Sequence, residues 1–222
     1  MPPLPSIALA ALTGFLSGSV LSIPVGPVNA TIINEGARRG FRWAATIGLG
    51  ASTMEVIYCG IAFTGFASFF DRGMVKTIME LISVIFLTVL GVKFLTAKAV
   101  PKSGPMEARL EKKWRPHSAF MTGFVRVLGN PGILLSWIVL AASFTSREWV
   151  APTHAAKFAC CAGVALGTNA WFLTLSYLVS CRKRKFQEKT LLRMEKGSGI
   201  GLLLFALTQA VALGARLLSG RA

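Results

Sequence analysis

Acidic residues are scarce in this chain. Nine Asp and Glu stand against 24 Lys and Arg among 222 residues, and charged residues of both signs make up only 15%. A soluble domain carries about 25%, so the composition excludes an ordinary soluble globule. Histidine is scarcer still: His117 and His154 stand alone at connections, and no metal site is expected. The four cysteines, Cys59, Cys160, Cys161 and Cys181, show no CxxC spacing and lie mostly in apolar segments. There a free thiol acts as a small hydrophobe, so neither a disulfide nor a metal cluster is expected. Residues Met1 to Ser6 hold no Lys or Arg, hence no charged n-region of a secretory signal, and Ile7 onward reads as a retained first span. No residue set resembles a hydrolase or transferase site. The chain is expected not to be an enzyme and to need no cofactor.

What is present is hydrophobicity in blocks. Hydrophobic residues reach 53% and mean hydropathy is +0.60. Six apolar segments run near residues 7–34, 43–67, 76–97, 118–146, 156–180 and 197–218, each reaching at least the roughly 20 residues that a bilayer crossing needs. The net charge of +15 raises the question of nucleic acid. The cations, however, sit between the spans, where the positive-inside rule places them, so no nucleic acid is expected. The first connection holds Arg38, Arg39 and Arg42, and the third and fifth are denser, whereas the second and fourth hold only Arg72, Lys76, Arg147 and Lys157. This bias puts connections one, three and five in the cytoplasm, with a polar cytoplasmic loop at about 98–117 whose core is Pro101–Pro116.

Two segments are too long for a straight crossing. About 28 residues at about 1.5 Å each give roughly 42 Å, against a hydrocarbon core of about 30 Å. The first contains Ser22-Ile23-Pro24-Val25-Gly26-Pro27-Val28-Asn29, and the fourth contains Gly129-Asn130-Pro131-Gly132. Proline removes a backbone donor and clashes with the preceding turn, and glycine permits close approach and unusual dihedrals, so both helices should break at membrane depth. Lipid tolerates such a break only inside protein or beside a cavity, a recurring plan of transporter binding sites.

The two halves echo each other. Thr13-Gly14-Phe15 precedes the first break and Thr122-Gly123-Phe124 the second; Gly50 lies five residues before Glu55, and Gly163 five before Thr168. The expected fold is an all-α membrane protein of six transmembrane helices. It forms one domain over residues 1–222, with pseudo-repeats at about 7–97 and 118–218. Three spans per half would invert the second copy relative to the first.

Counting along the helices brings the polar residues to one depth. Glu55 and Asn130 lie about 18 Å from the cytoplasmic side, Pro24 and Pro27 about 12–17 Å, and Thr168 and Asn169 a similar way in from outside. Glu55 is the sharpest signal, because an ionisable group at the membrane centre is costly unless paired or hydrated. It reads either as a structural carboxylate or as a proton carrier or partner of a substrate cation. Arg126, four residues before Asn130, reads as a snorkelling cation, a partner of Glu55 or a holder of a substrate carboxylate. The half-helix starting at Pro27 aims N–H groups and a positive dipole end at the gap, where an amino acid carboxylate would fit. Asn29 and Asn130 can donate and accept there, or serve the broken backbone. The candidate substrate and proton site is therefore Pro24, Gly26, Pro27, Asn29, Glu55, Arg126, Asn130, Pro131, Thr168 and Asn169. Trp43, Trp137 and Trp149 read as interfacial anchors or lipid-facing bulk, Trp171 as packing or cavity wall, and Asp71, Glu80 and Glu148 as water-facing span ends.

Ser22-Ile23-Pro24-Val25-Gly26-Pro27, the basic turn Gly36-Ala37-Arg38-Arg39-Gly40-Phe41 and the stretch Gly48 to Glu55 resemble the opening of the lysine-exporter (LysE/RhtB) family. Gly123 to Pro131 resembles that family's fourth-span Asn-Pro motif, and Gly163, Gly167-Thr168 and Trp171 its fifth span. Two positions depart from the pattern: Glu55 stands where the family commonly has Asp, and Arg126 where an apolar or small polar residue is expected. The resemblance implies a six-helix carrier of the bacterial inner membrane. It would export an amino acid or similar small solute by proton antiport. Its partners would be the substrate, protons and the bilayer, with a homo-oligomer left open. Two alternatives belong to the wider superfamily. A metal or inorganic cation exporter calls for more intramembrane ligands than one deep Glu. A membrane thiol–disulfide electron carrier calls for facing cysteines, for which Cys59 with Cys160 or Cys161 are the candidates.

Overall fold

The computed structural model describes residues 4–24, 26–65, 73–97, 105–114, 118–182 and 188–218; Asp71 lies outside these. They form nine helices. Helix α1 (Leu4–Ser22) stops where Pro24 pushes Ile23 out of the helical region. Helix α2 (Pro27–Arg39) restarts with proline at its first position, where the missing N–H costs nothing. The axes of the two differ by 71°. Helix α2 ends at Gly40, whose φ of 83° is the left-handed conformation that favours glycine, and the Gly40 N–H donates to Gly36 O at 3.0 Å. Helix α3 (Phe41–Gly65) follows at once. Arg39 holds this corner, pairing with Glu35 at 2.9 Å and lying 4.5 Å over the Trp43 ring.

The second half repeats the chemistry. Helix α4 (Gly73–Leu95) is followed by α5 (Pro105–Trp114), inside the stretch expected to be a polar loop. Met106 and Leu110 lie four residues apart, hence on one helical face, and α5 packs against α6. Helix α6 (Ala119–Leu128) starts under Ser118, whose hydroxyl accepts from the Met121 N–H at 3.2 Å. Helix α7 (Pro131–Ser146) again carries proline at its first position and is bent by 67° from α6. Helices α8 (His154–Arg182) and α9 (Glu188–Leu218) complete the chain.

Among the described residues, three helical stretches are long and apolar enough to cross a membrane: Phe41–Thr64, His154–Ser180 and Glu195–Ala215. Each bent pair, α1 with α2 and α6 with α7, meets the same test when taken together, which gives up to five. Large apolar side chains face outward, among them Leu12, Leu16, Ile61, Val89, Phe158, Leu166, Leu204 and Val211. Exposure of that extent marks a surface that meets something other than water.

Helices α3 and α8 stand at the centre and pack on each other; α1 runs along α8, α6 along α3, and α4 pairs with α9. Glycines set the closest approaches. A Cβ on Gly14 would strike the Cys160 carbonyl, and one on Gly163 would strike the Ala11 carbonyl. At the other interface a Cβ on Gly50 would strike the Phe120 carbonyl, and one on Gly123 the Ile47 carbonyl. Small residues that admit backbone-to-backbone contact are how helices associate without water to drive them. The four glycines of the two sequence echoes therefore occupy matching roles in two separate interfaces.

Candidate functional site

The two helix breaks wall one cavity of about 410 Å³. Pro24, Gly26, Pro27 and Asn29 line it from the first break, and Asn130 and Gly132 from the second. Glu55 enters from α3, Trp137 from α7, Phe172 from α8, Lys93 from α4 and Glu195 from α9. That volume lies in the range of small-molecule sites, about 300–1,000 Å³.

The asparagines close their breaks in different ways. Asn29 Nδ2 reaches back and donates to Ser22 O at 2.8 Å and Pro24 O at 2.7 Å, with Ile23 O at 3.5 Å. These are carbonyls that the end of α1 would otherwise leave unpaired. Its Oδ1 accepts from Trp171 Nε1 at 3.3 Å, tying the break to α8. The start of α2 has no side-chain cap: Gly26 offers none and Pro27 has no N–H, so the amides of Val28 and Asn29 head the helix uncapped. Asn130 instead caps its own helix, its Oδ1 accepting from the Gly132 N–H at 3.1 Å. The carbonyl of Leu128, at the end of α6, takes its proton from Tyr58 of α3 at 2.9 Å.

Gly26 departs from the expectation of an unusual backbone. Its φ of −89° and ψ of −175° are ordinary extended values, and a Cβ there would meet nothing within 4 Å. Its smallness leaves room in the cavity rather than permitting a fold.

Of the expected site residues, Pro24, Gly26, Pro27, Asn29, Glu55 and Asn130 line the cavity; Arg126, Pro131, Thr168 and Asn169 do not. Pro131 is exposed at the start of α7, and Arg126 is half-buried in α6. Thr168 and Asn169 serve the interface of the central helices. Both bond the Ser52 hydroxyl, at 2.6 Å from Thr168 Oγ1 and 2.8 Å from Asn169 Nδ2, one turn before Glu55. Thr168 is fully buried because that bond replaces water. Glu55 itself is 5% exposed.

Three residues belong here that the sequence alone did not single out. Trp137 is fully buried rather than facing lipid, and Tyr58 closes α6. Glu195, in the run Arg193-Met194-Glu195-Lys196, reads in sequence as part of a solvated basic connection, yet it is 2% exposed and lines the cavity. Only its place at the edge of the last apolar stretch could have flagged it. Glu80, expected to face water, is buried. Away from the cavity, Cys59 and Cys161 bring their sulfurs to 3.8 Å across α3 and α8.

Comparison with known proteins gives a family and a relative. The family described as LysE type translocator matches residues 19–212. A Bacillus subtilis (strain 168) protein named "Putative amino acid efflux protein YcgF" is 30% identical over 195 residues, covering 87% of this chain and 91% of that protein. No solved structure matches the chain.

Proposed function

The chain belongs to the LysE type translocators, and from that premise we propose that it exports an amino acid or similar small solute across the bacterial inner membrane by proton antiport. The carrying observation is the cavity that both helix breaks share with Glu55. Around it we read six spans in two inverted three-helix halves. The bent pairs count as one span each, and α4, with its outward Ile78, Leu81, Ile85 and Val89, is the sixth. Supporting the repeat are the matched glycine pairs, with Gly14 and Gly163 joining α1 to α8 as Gly123 and Gly50 join α6 to α3. The cation bias supports a cytoplasmic side for connections one, three and five.

In this reading the substrate carboxylate docks at the uncapped amides of Val28 and Asn29, where the dipole of α2 favours an anion. Glu55, buried and facing the same space, carries the proton whose entry drives export. Thr168 and Asn169 act at one remove, fixing α8 to α3 beside it. Everted vesicles carrying an acid-inside gradient test this. Wild-type protein should drive uptake of the amino acids that intact cells release faster on its expression. Glu55→Gln should insert and fold normally and lose at least about tenfold of the rate, about 1.4 kcal/mol in the barrier. Full activity in that variant removes Glu55 from the mechanism.

One observation favours the electron-carrier alternative, the 3.8 Å approach of Cys59 and Cys161. Replacing all four cysteines separates the two readings: an exporter survives it and a thiol carrier does not.

A further inference from the structure

The cavity holds a second carboxylate. Glu195 enters from α9, on the far side of the bundle's sequence from Glu55, and it is 2% exposed. Its Oε2 is fully buried with no hydrogen-bond partner among the described residues. Burying a polar oxygen with nothing to accept from is costly, and more so when it is charged. Lys93, on α4, borders the same cavity and its charge acts on Glu195, but among the described residues it makes no direct ion pair with the carboxylate. Among the described residues, Oε2 therefore has no hydrogen-bond donor.

The same wall shows the opposite deficit. Trp137 is fully buried, and its Nε1–H likewise has no partner among the described residues. Two uncapped amides at the start of α2 add further donors. One cavity thus combines surplus donors suited to a carboxylate with a surplus acceptor suited to a primary ammonium. A zwitterion meets both demands in one molecule.

We propose that Glu195 is a cargo-binding residue, taking the ammonium group of the exported amino acid. The assignment rests on the export reading above and adds a second binding group to it. Glu55 remains the proton carrier, so the two carboxylates divide cation and proton between them. Glu195→Gln removes the charge at nearly constant volume, and Glu195→Asp keeps the charge but shortens the reach.

The test is transport in everted vesicles, with competition by a 2-hydroxy acid that has the side chain and carboxylate of the substrate but no ammonium. Glu195→Gln should raise the half-saturating amino acid concentration about tenfold or more, while competition by the hydroxy acid stays as in wild type. Glu195→Asp should fall between. The assignment is overturned if Glu195→Gln leaves the half-saturating concentration unchanged, or if the hydroxy acid weakens by the same factor as the amino acid. Should Glu195→Gln fail to insert, Glu195→Asp carries the test by the same two readouts. Failure of wild-type vesicles to move any amino acid counts against the export reading itself, whereas normal wild-type transport with either overturning result counts against Glu195 alone.

Discussion

The first break and the second share Pro and Asn, yet they use them in opposite directions. At the first, Asn29 follows the proline and reaches backwards, satisfying the carbonyls that end α1. At the second, Asn130 precedes the proline and reaches forwards, satisfying an amide that begins α7. The end of α6 is served instead by Tyr58 from a neighbouring helix. What remains unsatisfied differs accordingly. The first break leaves helix-starting amides uncapped at the cavity, and the second leaves its helix start capped. Two interruptions with one vocabulary thus yield one candidate anion site and one closed corner. The lesson is that the position of asparagine relative to proline, and not the presence of both, decides which end of the broken helix stays reactive.

Substitutions can break this contrast, and the largest effect is expected at Asn29. Asn29→Ala strips donors from two close carbonyls and one distant one. It should cost about 3 kcal/mol, at about 1–3 per buried group left unpaired, measured as thermal denaturation in detergent, with export lost. Asn29→Asp should fail almost as badly, because it keeps the acceptor for Trp171 and loses the donor. Wild-type stability in that variant would mean Nδ2 does not close α1. Tyr58→Phe should cost about 1–2 kcal/mol, since Leu128 O is left in a partly buried place without its donor. Asn130→Ala should cost about 1 kcal/mol, the usual worth of an N-cap. Asn130→Ser should restore most of it, a rescue that has no counterpart at Asn29. The smallest effect on stability is expected at Gly26→Ala, about zero, because the added methyl meets nothing within 4 Å. Its effect belongs in a raised half-saturating concentration, measured by transport.

How far these features were legible follows from their range. The helix segments and the two breaks could be read from runs of apolar residues and from proline, whose effects reach one turn along the chain. The repeated glycines were visible too, as echoes at matching positions. Thr168 and Asn169 are expected in the cavity from their count along α8, but they do not line it. Counting residues measures height in a helix; it cannot say that both turn to Ser52 rather than into the cavity. Trp137 and Glu195 were missed for a related reason. A tryptophan in an apolar run looks the same facing lipid or core, and a glutamate among lysines looks solvated until α9 is set against α4.

The sequence by itself determined that the chain is helical, apolar in blocks and interrupted twice, because helix breaking and hydrophobic length are properties of neighbouring residues. Only the tertiary structure decided that both interruptions border one cavity and that Glu55 shares it with Glu195 and Trp137. Those relations join helices far apart in the chain, and they exist only once glycine-mediated packing has fixed how α1 lies on α8 and α6 on α3.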